Sequence, residues 1–155
     1  MAFFKSVPVA ETVFRADRLP AGLSGHLRDR VVLGWQERLS TRGRWRTEGG
    51  VEFGVGLPRG TVLRDGDCLA LDQPPLLIAV CEKPEPVLVI VPETPERAAT
   101  WAYFIGNSHQ PLMVVGGVLL CADVTGADQV LAFHGIPFVR DVRPFTPAAV
   151  PGHHG

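Results

Sequence analysis

PLMVVGGVLLCA, residues 111–122, is two short apolar runs joined by Gly116-Gly117. Both central positions of a tight two-residue hairpin need φ > 0, which glycine reaches without a Cβ penalty, so this stretch predicts two antiparallel strands. Outward from the hairpin the pattern is the same on either side. Upstream, TPERAATWAYFIG (94–106) sets Ala98, Trp101, Ala102 and Ile105 at i, i+3, i+4 and i+7, one apolar face of a helix. Thr94 is placed to cap it, Pro95 to open it, Glu96 to sit in its first turn and Gly106 to stop it. Downstream, Thr125 is placed to cap a second helix whose Ala127, Val130, Leu131 and His134 repeat the spacing before Gly135. VLVIV (87–91) and FVRDV (138–142) supply the outer strands. The order β-α-β-β-α-β predicts a ferredoxin-like domain.

The first half has a different period. LRDRVVLGWQERLS carries apolar marks at Leu27, Val31, Leu33 and Trp35, and RGRWRTEGG, VEFGVGL and TVLRDGDCLALD follow, each bounded by Gly, Pro or Asp. LPRG (57–60) and RDGD (64–67) read as turns, and LLIAV (76–80) as a short buried strand. No long stretch here has a helical period. CEKPEPV (81–87) changes the texture and predicts an interdomain connection. The expectation is an α+β chain: a small all-β domain over 1–83, a ferredoxin-like domain over 84–147, and a short flexible tail over 148–155.

Composition limits the function. The 15 basic and 16 acidic side chains nearly cancel, which argues against nucleic acid as a partner. The balance is uneven: residues 1–50 hold nine Lys/Arg against five Asp/Glu, a basic patch able to meet an acidic protein surface. MAFFKSVPVAETVF has no apolar run of signal-peptide length, and no segment approaches the roughly 20 apolar residues of a membrane span. Cys68, Cys81 and Cys121 are odd in number and far apart, the pattern of reduced thiols, so a cytoplasmic address is expected, with no membrane partner.

No constellation supports bond chemistry. Asp123, Asp128 and His134 lack a nucleophile elbow, GVGLPRG lacks the helix and lysine of a phosphate loop, and a hydrolase built on Asn107 and an arginine lacks a cradle of backbone amides. His134 falls on the apolar face of its helix and reads as a core-edge residue, and His26 reads as exposed. His109 is different. It follows the end of the first predicted helix in AYFIGNSH (102–109), where an exposed imidazole meets the partial negative charge of a helix C-terminus and suits nickel, copper or zinc. One histidine cannot hold a metal. A two-fold dimer would bring two copies of His109 together, and PGHHG at the chain end adds His153 and His154.

In order and spacing, RGRWRTEGG (42–50), GLPRGTVLRDGDCL (56–69), AYFIGNSH (102–109) and HGIPFVRDVRPFTP (134–147) resemble the urease accessory protein E family, the nickel metallochaperones of urease maturation. The resemblance covers most of the chain. It implies an N-terminal domain that binds protein or peptide partners and a C-terminal domain that binds metal and dimerises. It implies Ni(II) as cargo, with Zn(II) or Cu(II) able to occupy the same ligands. His109 matches the family's interface histidine, and His153 and His154 match its tail histidines. Implied partners are a second copy, the urease apoprotein and its accessory proteins, including the maturation GTPase. There are departures. Ser108 stands where arginine is usual, Ala122 to Thr125 lack the additional histidine pair of some members, Ala148 replaces a common glutamate, and the tail has only two histidines. These departures keep a second expectation open, a scaffolding or peptide-binding protein of urease assembly with a vestigial metal site.

Overall fold

The computed structural model describes residues 6–148, and its contacts part between Lys83 and Pro84, giving one unit over Met1–Lys83 and another over Pro84–Gly155. The first unit contains β1 (Val9–Ala10), β2 (Val13–Phe14), β3 (Leu27–Leu33), α1 (Trp35–Leu39), β4 (Arg42–Arg46), β5 (Glu52–Gly56), β6 (Cys68–Leu71) and β7 (Leu76–Glu82). They form two sheets, ordered β1-β5-β4 and β2-β6-β7-β3. Phe53, Leu63, Leu69 and Ile78 are fully buried in one apolar core.

This unit departs from the all-β expectation at α1. The segment is five residues long, too short for any periodicity to reveal. Its start is fixed by Gly34, whose N–H donates to Glu37 Oε1 at 3.0 Å. Its last turn buries Arg38 completely. The Arg38 guanidinium donates to the carbonyls of Leu33 and Leu63 and lies 3.5 Å from Glu82, so the buried charge is both bonded and paired. Residues 61–67 are not strand. They carry the RDGD turn, with Gly66 at φ +85 and the buried Asp67 carboxylate accepting from the Arg64 N–H and the Arg15 guanidinium.

The second unit contains β8 (Pro84–Ile90), α2 (Pro95–Asn107), β9 (Leu112–Val115), β10 (Val118–Ala122), α3 (Ala127–Phe133) and β11 (Val139–Pro144). The sheet order β11-β8-β10-β9, antiparallel throughout, is the ferredoxin-like arrangement. The Gly116-Gly117 hairpin forms, with φ of +56 and +76. Leu88, Ile90, Trp101, Ile105, Leu119 and Leu131 pack between the sheet and the two helices.

Two boundaries differ from the sequence reading. CEKPEPV is mostly strand, since β7 runs to Glu82 and β8 begins at Pro84. Prolines fit there because the positions that lack an N–H face the β10 side, where β10 ends at Ala122; the Pro86 carbonyl still accepts the Asp123 N–H just beyond it. Thr125 does not cap α3. Gly126 holds that position at φ +88, a left-handed entry with no side-chain cap, and the Ala127 N–H bonds to the Val124 carbonyl.

Candidate metal centre

Thr94 caps α2 as its sequence suggests, accepting from the Arg97 N–H at 3.1 Å behind Pro95. The other end departs from expectation. Gly106 does not stop the helix, which continues through Asn107 to a cap at Ser108. The Ser108 hydroxyl donates back to the Phe104 carbonyl at 2.9 Å. The chain then reverses at His109, with φ +59, its N–H bonded to the Gly106 carbonyl and the Gln110 N–H bonded to the Ile105 carbonyl. These two bonds make a Schellman motif whose left-handed position, normally glycine, is His109.

α3 provides an internal comparison. There the Gly135 N–H bonds to the Ala132 carbonyl and the Ile136 N–H to the Leu131 carbonyl, with Gly135 at φ +67. The two helix ends are built alike, and His109 stands where α3 has Gly135. Among the described residues His109 is the only non-glycine with positive φ. A Cβ costs about 1–2 kcal/mol in that region, so the position favours glycine locally, and the imidazole is held against that preference. Its side chain is exposed beside the α2 carbonyl end, where the helix dipole favours a cation.

His134 takes the other role. It caps α3, is half-buried, and stacks on Phe104 with ring centroids 4.7 Å apart and planes 5° from parallel, while Phe133 meets it edge-on at 5.0 Å. His26 is not simply exposed. It is half-buried, and its Nε2 is buried without a hydrogen-bond partner among the described residues.

No three His, Cys, Asp or Glu side chains gather into a metal-sized cluster among the described residues. Burial raises the Cys68 thiol and pushes Cys121 up to about 11, which keeps both protonated and poor as ligands. Asp123, in the segment before α3, pairs with Arg140, which also holds Asp128 and covers the Phe138 ring. That segment ties β11 to α3. His153 and His154 lie outside the described residues. Neither a concavity of about 500 Å³ edged by Glu11, Arg15 and Arg64 nor one of about 230 Å³ edged by Arg97 and Trp101 includes His109. No helix among the described residues is long and apolar enough to cross a membrane.

Fold and site together define an α+β protein whose ferredoxin-like unit presents an imidazole from an open helix end. Residues 15–81 match the family model for the N-terminal domain of the UreE urease accessory protein, and residues 85–155 match that for its C-terminal domain. The chain is 36% identical over 120 residues to urease accessory protein UreE of Nostoc sp., covering 77% of this chain and 82% of the relative. With the Nostoc punctiforme protein of the same name it shares 34% over 126 residues, covering 80% and 85%. With that of Deinococcus radiodurans it shares 33% over 109 residues, covering 70% of each. The chain belongs to the UreE urease accessory protein family.

Proposed function

We propose that the protein is a non-enzymatic nickel carrier of urease maturation, working as a homodimer in the cytoplasm, with Ni(II) as cargo. The observation that carries this reading is His109. An exposed imidazole stands at a backbone position where glycine costs less, beside the negative end of α2. Packing does not explain that choice, whereas binding a borderline cation does.

In this reading His109 Nε2 or Nδ1 from each of two copies grips the ion across a two-fold axis, and His153 or His154 completes the shell. No chemical bond of a substrate is made or broken. Transfer is ligand exchange, helped because the ligands stand on an open surface and a recipient's side chains can replace them one at a time. The first unit, Met1–Lys83, docks the protein partners, among them the urease apoprotein and the maturation GTPase. Zn(II) and Cu(II) suit the same donors, so selection for nickel rests on geometry and supply.

Calorimetric nickel titration of the intact chain and of a form ending at residue 150 tests the reading. It expects one tightly held ion per dimer in the first and weaker binding in the second. Absence of tight binding in the intact chain would leave the scaffolding role in urease assembly.

A further inference from the structure

The hydrogen bonds beside β4 show which of its groups face outward. The Thr47 N–H bonds to the Val51 carbonyl and the Leu57 N–H to the Thr41 carbonyl, so odd-numbered residues of this segment face the β5 ladder. Opposite Arg44, the Gly54 N–H turns away to the Pro8 carbonyl. The backbone N–H and C=O groups of Arg44 and Arg46 therefore point away from β5, on the outer side of the edge strand of the β1-β5-β4 sheet. This window is bounded by the Arg42 carbonyl, which accepts from the Ser40 hydroxyl, and the Glu48 N–H, which bonds to the Arg30 carbonyl of β3.

The same alternation puts Arg42, Arg44 and Arg46 on one face and Trp45 on the other, where it packs on the core. Across β5 the arginines face Gly56, Gly54 and Glu52, so the floor beside them is glycine backbone with a single carboxylate. Glu52 is bracketed, accepting from Arg46 at 2.5 Å and Arg44 at 3.2 Å, and Arg46 followed by Arg44 holds it below the ordinary glutamate range. Arg42 makes no ion pair among the described residues. Three guanidiniums against one carboxylate leave two net positive charges along about 13 Å of strand. The side chains of Arg44 and Arg46 are 60% and 65% exposed.

We propose that the open edge of β4 receives an extended acidic segment of a partner protein, which pairs with the Arg44 and Arg46 backbone and places carboxylates at every second residue against the arginine row. Strand addition supplies affinity through the main chain, and the period-2 charge match supplies specificity. Charges on an edge strand also act to keep other strands away. A row of one sign does so only toward basic or apolar strands and attracts an acidic one. The inference deepens the docking part of the proposed function, and because its probe carries no metal, it and the nickel reading can fail separately.

The test uses the full chain and three labelled eight-residue peptides: glutamate alternating with threonine, lysine alternating with threonine, and four glutamates followed by four threonines. Fluorescence anisotropy near physiological salt is expected to show the alternating acidic peptide binding at least tenfold more tightly than the other two. Amide exchange is expected to slow at Arg44 and Arg46. Arg42→Glu/Arg44→Glu/Arg46→Glu should lose that peptide and gain the lysine one, a reversal that an unfolded variant would not show, and Arg44→Ser alone should weaken binding several-fold. Equal binding of the blocked and alternating acidic peptides, or unchanged exchange at the two amides, would overturn the proposal. So would a single-stranded oligonucleotide displacing the alternating peptide at equal charge concentration, since the row would then be a site for general polyanions.

Discussion

Replacing His109 by glycine would relieve the left-handed backbone that a Cβ makes costly, and the α3 terminus, with Gly135 at the matching place, already shows that arrangement. His109→Gly is therefore expected to raise stability by roughly 0.5–1 kcal/mol, read as a higher urea midpoint, while nickel binding is lost. His109→Ala keeps the Cβ and should lose nickel with stability almost unchanged. If His109→Gly retains the tight nickel site, the assignment of that site is wrong. His134 gives the opposite outcome. Its ring stacks on Phe104 and meets Phe133 edge-on, so His134→Ala is expected to cost about 1 kcal/mol with nickel affinity intact. The sequence distinguished these two histidines by their relation to an apolar face. It did not reveal that His109 itself occupies the turn position, because Gly106 offered a plausible stop three residues earlier. Which residue takes φ > 0 depends on where the last helical hydrogen bond closes, and the Ser108 hydroxyl on the Phe104 carbonyl contributes to that.

Elements were legible where a period ran long enough. Most of the thirteen residues of α2, the Gly-Gly hairpin and the β-α-β-β-α-β order of the second unit could all be inferred from pattern. α1 could not, because one and a half turns carry no period, and its placement depends on Arg38 finding carbonyls contributed by β3 and the 61–67 segment. The start of α3 was misread because Thr125 is a good cap chemically, while the chain enters through Gly126 in a conformation only glycine adopts readily. The join of β11 to α3 depends on Arg140, which holds Asp128 below the ordinary carboxylate value of 3.8 chiefly through its own hydrogen bond. A carboxyl depressed in the folded state contributes stability that is complete above its unfolded value and fades as pH falls below it. Removing Arg140 should remove Asp128's share of that fade. In urea titrations at pH 6, 4, 3 and 2, Arg140→Gln is expected to start less stable and lose less on acidification. Parallel curves for parent and variant would mean that the pair has no effect on the folding equilibrium. Glu52 and Asp141, also held low by neighbouring arginines, keep some acid dependence in both forms.

For the whole molecule, the described apolar surface is unevenly divided. Eleven large hydrophobic side chains are exposed, and eight of them, including Tyr103 and Phe133, fall in the second unit. Phe133 is 84% exposed, a costly place for an aromatic ring unless something covers it. A single metal ion joining two imidazoles supplies no such cover, and a stable dimer needs roughly 1,000 Å² or more of buried surface. The expected order of events is that dimerisation through the second unit comes first and creates the paired His109 ligands, with nickel arriving at a site already shaped. Sedimentation of the metal-free protein at micromolar concentration should therefore give the dimer mass. Pro84–Gly155 expressed with its own start should dimerise as the full chain does. Nickel should then tighten the dimer only modestly, and acidification should release the ion before the dimer separates, because protons compete for the imidazole nitrogens and leave the apolar contacts unchanged. A metal-free monomer that pairs only on adding nickel would reverse that order and make the ion the organiser of the interface.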